Sequence, residues 1–94
     1  MKIVKFLWKD QFIEKLERKH AVSTNEVEEI FDNAPHFDFV AKGHVVGENV
    51  YWALGQTDAG RYLTVFFIYK AGGTAMPISA RDMNRQERKR YEKK

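Results

Sequence analysis

The stretch Asn33-Ala34-Pro35-His36-Phe37-Asp38-Phe39-Val40, "NAPHFDFV" at 33–40, is where the chain changes its period. Before it, apolar residues recur at three and four; after it, they recur at two. Pro35 follows the last turn of a helical pattern and marks its end. Phe37 and Phe39 then fall on one side of an extended segment, with Asp38 on the other.

Upstream of Pro35 the spacing predicts two helices. Ser23 followed by Glu26 is a capping box, with Val22 and Val27 where a hydrophobic staple places them. Val27, Ile30, Phe31 and Ala34 complete one apolar face. An earlier helix begins at Asp10, which is placed to cap it, and carries Phe12, Ile13, Leu16 and His20 at helical spacing. "KIVKFLWK" (2–9) reads as a strand. Downstream, "HFDFVAK" (36–42), "NVYWAL" (49–54), "YLTVFFIY" (62–69) and "TAMPISA" (74–80) read as four more strands. The glycines and aspartates of "KGHVVGE", "GQTDAG" and "AGG" supply the tight turns between them. Such short connections predict an antiparallel meander over 37–80, with Pro77 at an edge or a bulge. Asn84 with Glu87 is a second capping box, opening a helix of about three turns to Lys94. The expected order is β-αα-ββββ-α. This is an α+β fold, an antiparallel sheet packed with two N-terminal helices and a short basic C-terminal helix.

Ninety-four residues predict a single domain over 1–94 with one modest core. A hydrophobic fraction of 44%, with 14% aromatics, argues for a packed body over a disordered chain. No window is long and apolar enough for a membrane span, and the N-terminus lacks the h-region of a secretory signal, so a cytoplasmic protein is expected. The absence of cysteine removes disulfides, thiolate nucleophiles and cysteine-ligated zinc. His20, His36 and His44 lie in different elements and match no local metal motif. "AGG" between two strand patterns is a hairpin turn, and no G-x-S-x-G is present. Neither a metal nor any other cofactor is implied.

The charge is local. Residues 81–94 hold Arg81, Arg85, Arg88, Lys89, Arg90, Lys93 and Lys94 against Asp82, Glu87 and Glu92, a net of +4 in a chain whose total is +3. Such a patch suits a polyanionic partner, or else a solvated face. Arg85, Arg88 and Lys89 share one helical face and can grip phosphates, Arg bidentately. Arg81 stands where the chain leaves the last strand, and Arg61 opens the long central one. Trp8 and Tyr91 have packing and base-stacking as alternative roles. His20, beside Lys19, ends the first helix, where a cation gains from the helix dipole. Its other use is proton transfer near neutral pH.

Three stretches taken together resemble the BrnT family of type II toxins: "KHAVSTNEVEEIF" (19–31), "GQTDAGRYLTVFF" (55–67) and "ISARDMNRQERKRYEKK" (78–94). The last is the most specific, through Ile78-Ser79-Ala80-Arg81, Glu87-Arg88 and Tyr91. The chain has Ala21 at the helix junction, where the family usually has glycine. The resemblance implies a RelE-like fold and a small cytoplasmic ribonuclease that cuts RNA and arrests growth. It also implies a cognate antitoxin that carries its own DNA-binding domain. Arg61 and Arg81 match positions that the family uses, and His20 matches a recurring one.

Metal-free RNA cleavage requires removal of the 2′-hydroxyl proton, cations around the phosphorane and protonation of the leaving 5′-oxygen. The expected catalytic set is Arg61 and Arg81 for charge stabilisation, with His20 or Lys19 for proton transfer. Lys19, Arg85, Arg88, Tyr91 and Trp8 are the expected RNA contacts. An alternative is a catalytically inactive module of the same fold that binds RNA or the antitoxin, and a third is a pure interaction protein. Exposed strand edges leave room for self-association, including a homodimer within a toxin–antitoxin complex.

Overall fold

The computed structural model describes residues 1–93. Along the chain run β1 (Lys5–Phe6), α1 (Asp10–His20), α2 (Thr24–Asp32), β2 (His36–Ala41), β3 (Val50–Gln56), β4 (Tyr62–Lys70), β5 (Thr74–Asp82) and α3 (Arg85–Glu92). The strands form one sheet in the order β1-β5-β4-β3-β2. The meander is antiparallel throughout, as its short turns require. The sheet as a whole is mixed, because β1 pairs parallel to β5. The excursion through α1, α2 and the meander carries the chain back to that far edge in the same direction. Only Lys5 and Phe6 keep strand geometry there, a shorter element than the 2–9 pattern predicts.

Pro77 sits at a bulge, on the part of β5 that lies beyond its pairing with Lys5 and Phe6, where no outer strand needs its missing donor. Phe66 pairs with Ser79 and Phe67 with Pro77, so Ile78 is the extra residue. The turn after β4 needs Gly73 twice over. Its φ is +83°, and a Cβ there would meet the Lys2 carbonyl oxygen at 3.1 Å, where the N-terminal segment crosses the hairpin. Gly55 has a different task. A Cβ on it would lie 2.9 Å from that of Ile30, so its absence lets α2 lie directly on β3.

Both capping boxes form completely, Ser23 with Glu26 and Asn84 with Glu87. The predicted Asp10 cap does not; Lys9 occupies the N-cap and Asp10 lies in the first turn, where its charge still complements the helix dipole. α3 runs to Glu92 with Lys93 as its C-cap, and Lys94, the predicted end of the helix, lies outside the described residues.

The sheet's pleat decides which residues meet. Leu63, Val65 and Phe67 of β4 bury against Leu16, Val22, Val27 and Ile30 from α1 and α2, together with Ala53, Ala75 and Ala80. Phe67 is fully buried there, with its ring 5.2 Å from Phe31 and 5.8 Å from Phe37. The alternate residues of β4, Tyr62, Thr64 and Phe66, point to the other face, onto which α3 packs. The α1–α2 pair and α3 therefore cover opposite faces of one sheet.

Candidate functional site

Each capping-box glutamate is also the anchor of an arginine from the sheet. Glu87, 5% exposed, receives Arg81 bidentately at 2.7 and 2.8 Å. Its Oε1 also accepts from the Thr64 hydroxyl at 2.9 Å and from the Asn84 amide at 2.9 Å. Burial pushes the Glu87 carboxyl up, but Arg81, the Asn84 amide and Thr64 outweigh it and hold the group below its ordinary range. The same pair raises the Arg81 guanidinium above its usual value. Arg81 completes its surroundings over the face of Phe66, 5.6 Å from the ring centroid.

Arg61 makes the matching clamp on the opposite face. Its Nε donates to Asp82 at 2.8 Å, and Nη2 to Asp82 at 3.3 Å and to the His20 carbonyl at 3.0 Å. Nη1 donates to the Ala21 carbonyl at 2.8 Å and to Glu26 at 3.2 Å. A guanidinium has five N–H donors, and all of them are directed at protein acceptors. The Asp82 carboxyl lies below its ordinary range, chiefly through its bonds from Arg61. The clamp stitches the α1–α2 junction to the end of β5. There Ala21, with φ of 52°, takes the left-handed conformation that ends α1.

The predicted catalytic set is therefore not assembled at one place. Arg61 and Arg81 lie at the same end of the sheet, but their guanidinium groups are on opposite faces of it. His20 stays with Arg61, through its carbonyl, on the helix-covered face, and Lys19 is exposed beside it. Trp8 packs against the core of that face and donates from its indole to Glu28 at 2.8 Å. On the α3 face, Arg88 stacks on Tyr62, 3.9 Å from its ring centroid, and Tyr91 meets the same ring edge-on at 6.0 Å. Arg81, Arg88, Tyr91 and Arg85 thus share one face, and Arg61, His20, Lys19 and Trp8 are associated with the other.

The α3 face holds a second carboxylate hub that sequence reasoning missed. Asp38 Oδ2 accepts from Arg90 Nε at 2.6 Å, from Trp52 Nε1 at 2.9 Å and from His36 Nε2 at 3.0 Å. Its carboxyl is pulled far below the ordinary range, first by Arg90 and then, against some burial, by Trp52 and His36. The signal was in the opening stretch, since His36 and Asp38 two apart in a strand share a face. The Trp52 and Arg90 partners, from β3 and α3, were not visible there.

These pairings sort the C-terminal cations. Arg81, Arg88 and Arg90 each have an acid partner, Glu87, Glu92 and Asp38. Among the described residues, the side chains of Arg85, Lys89 and Lys93 have none, and all three are exposed. They stand four apart, on one side of α3, along about 12 Å of its axis. Next to this stripe, between α3 and β2, His36, Gln86, Lys89, Arg90 and Lys93 line an open cleft.

Comparison with known proteins agrees with the fold. The 1.1 Å crystal structure of the Brucella abortus ribonuclease toxin BrnT superposes with a TM-score of 0.64 at 14% identity, over 87% of this chain and 99% of that one. No curated protein matches by sequence. Residues 8–87 match the family model described as the ribonuclease toxin BrnT of type II toxin–antitoxin systems. This span runs from Trp8 through both arginine clamps to Glu87, and the chain belongs to the BrnT family of ribonuclease toxins.

Proposed function

We propose that this ribonuclease toxin takes hold of its RNA along α3, through Arg85, Lys89 and Lys93, and cleaves it without a metal ion. The observation that carries this reading is the sorting of the basic helix. Its remaining arginines are neutralised within the protein, whereas these three cations face solvent in one stripe. Phosphates can replace only counterions at such positions, with no protein ion pair to break. Tyr62 and Tyr91, with Arg88 stacked on the former, flank the stripe as an aromatic surface for a base. Arg61 and Arg81 act in this reading as positioning residues that dock α2 and α3, since the carboxylates beside them already hold their guanidinium groups.

In the same proposal, residues 1–94 form one toxin domain that works in the cytoplasm, where its substrate is. No described helix is long and apolar enough to cross a membrane. The antitoxin partner carries a DNA-binding domain of its own. The outer edge of β2, with Phe39 and Val40 exposed, is the place where two toxins would meet in a homodimer within the complex.

The test uses purified protein and two RNAs of one sequence. With the cleavable RNA in EDTA, fragments ending in 2′,3′-cyclic phosphate are expected; cleavage only on addition of a divalent ion overturns the metal-free step. With the 2′-O-methyl RNA, affinity is measured against salt for wild type and for the variant Arg85→Gln/Lys89→Gln/Lys93→Gln. Each lost phosphate contact removes about 0.7 from the slope of log affinity against log salt, so a decrease of about 2 is expected. An unchanged slope places the RNA elsewhere.

A further inference from the structure

We propose that His36 is the proton acceptor of the cleavage reaction, held ready by Asp38 in the cleft between β2 and α3. The inference rests on the RNA path just described and adds the chemistry beside it. Its basis is the geometry of the Asp38 hub. An ionised carboxylate only accepts hydrogen bonds, so the ring nitrogen 3.0 Å from Asp38 Oδ2, Nε2, carries the imidazole proton. The neutral ring then has its lone pair on Nδ1, for which no protein partner exists among the described residues. The depressed titration of Asp38 keeps the carboxylate ionised across the range in which an imidazole titrates. The side chain of His36 is 28% exposed, enough for a substrate to reach it while Asp38 fixes its plane.

Charged groups surround the ring in the way the reaction needs. Asp38 faces it from β2, and Lys89, Arg90 and Lys93 of α3 line the same cleft, with the neutral Gln86 beside them. Trp52 of β3 supports the carboxylate from below. In the step, Nδ1 takes the proton of the 2′-hydroxyl while O2′ forms its bond to phosphorus. The P–O5′ bond breaks, and the leaving O5′ takes a proton from solvent. The products are a 2′,3′-cyclic phosphate and a 5′-hydroxyl, with no change of oxidation state. Lys89, which has no acid partner among the described residues, lines the same cleft and is the cation that can meet negative charge on the phosphorane.

Distance separates this centre from the arginine that the sequence singles out. His36 pairs with Leu54, Leu54 with Thr64 and Thr64 with Arg81, one row across four strands. Three strand spacings put the two Cα atoms about 14 Å apart, and each side chain is already turned to its own carboxylate, Arg81 to Glu87 and His36 to Asp38. One phosphorus cannot be held by both. His20 lies with the Arg61 clamp, away from the α3 cations, and His44 is in the exposed β2–β3 connection.

The experiment compares wild type, His36→Gln, His20→Gln and His44→Gln on the cleavable RNA from pH 5 to 8, with binding to the 2′-O-methyl RNA and thermal stability measured in parallel. Expected for His36→Gln is a loss of kcat/KM of at least about 100-fold, the range of a general base, with RNA affinity and melting unchanged. The wild-type rate should rise with pH along an acid limb and then level off, as a general base requires, and the variant should lose that limb. His44→Gln should match wild type. A His36→Gln protein that cleaves within about threefold of wild type overturns the proposal, and so does loss of cleavage in His20→Gln alone. A wild-type profile without the acid limb overturns it independently of how any variant folds. In each of these cases the RNA path still stands if the α3 triple variant lowers the salt slope, so the two readings fail separately.

Discussion

Replacing Glu87 with glutamine tests the claim that capping-box carboxylates dock the helices. The substitution keeps shape, burial and the Oε1 acceptor for Thr64 and the Asn84 amide. What changes is the atom opposite Arg81 Nη2, now 2.8 Å from an oxygen and in the variant facing an amide N–H, donor against donor. It also strips the charge from a group only 5% exposed while leaving the guanidinium in place. Removing one partner of a fully buried pair costs about 3–5 kcal/mol. The Arg81 side chain is 34% exposed, so water recovers part of that, and about 2–3 kcal/mol remains. For a chain of this length that lowers Tm by about 10–20 °C. Urea unfolding followed by circular dichroism at pH 7 measures it directly, with unchanged m values as the check on two-state behaviour. The pH dependence carries a definite sign. The folded Glu87 carboxyl titrates below its unfolded value, so its stabilisation is present above an unfolded pKa of about 4.3 and disappears as pH falls through the folded value. The gap between wild type and variant must therefore close in acid. A variant within about 0.5 kcal/mol of wild type at pH 7, the scale of a neutral surface change, would refute the reasoning. A gap independent of pH would do the same.

Two further outcomes follow from the junction on the opposite face. Arg61→Lys keeps the charge but cannot reproduce a planar fork reaching Asp82, Glu26 and two carbonyls, so a loss of about 2–3 kcal/mol is expected in the same urea assay. A loss below about 0.5 kcal/mol would show that the fork is dispensable. Ala21→Gly should stabilise, because the left-handed conformation costs alanine about 1–2 kcal/mol while glycine's extra unfolded freedom returns about 0.4–1 kcal/mol of that. A net gain of about 0.5–1 kcal/mol is expected, and a destabilised Ala21→Gly would mean that the Arg61 bond to the Ala21 carbonyl depends on the methyl-bearing backbone.

The elements themselves were legible because they are local. A change of period at Pro35, two capping boxes and glycine-marked turns each depend on residues a few positions apart, and all reappear in the structure. The parallel pairing of β1 was not legible, because two residues carry it and their partner strand lies at the other end of the chain. Nor was the fate of the arginines. Arg61 and Arg81 stand out equally in sequence, yet one-residue differences in strand parity send Asp82 and Arg81 to opposite faces, so the two clamps form on opposite sides of the sheet.

By itself the sequence determined the α+β order and the basic C-terminal helix, each a property of composition and local spacing, and three of its stretches carried the resemblance to the family. Only the tertiary structure decided which charges are spent and which are free. A cation's availability depends on the carboxylate that folding brings within 3 Å of it. For Arg90 that partner is Asp38, 52 residues away. The same long-range contact made His36, unremarkable among three scattered histidines, the one that shares a carboxylate with an arginine of α3.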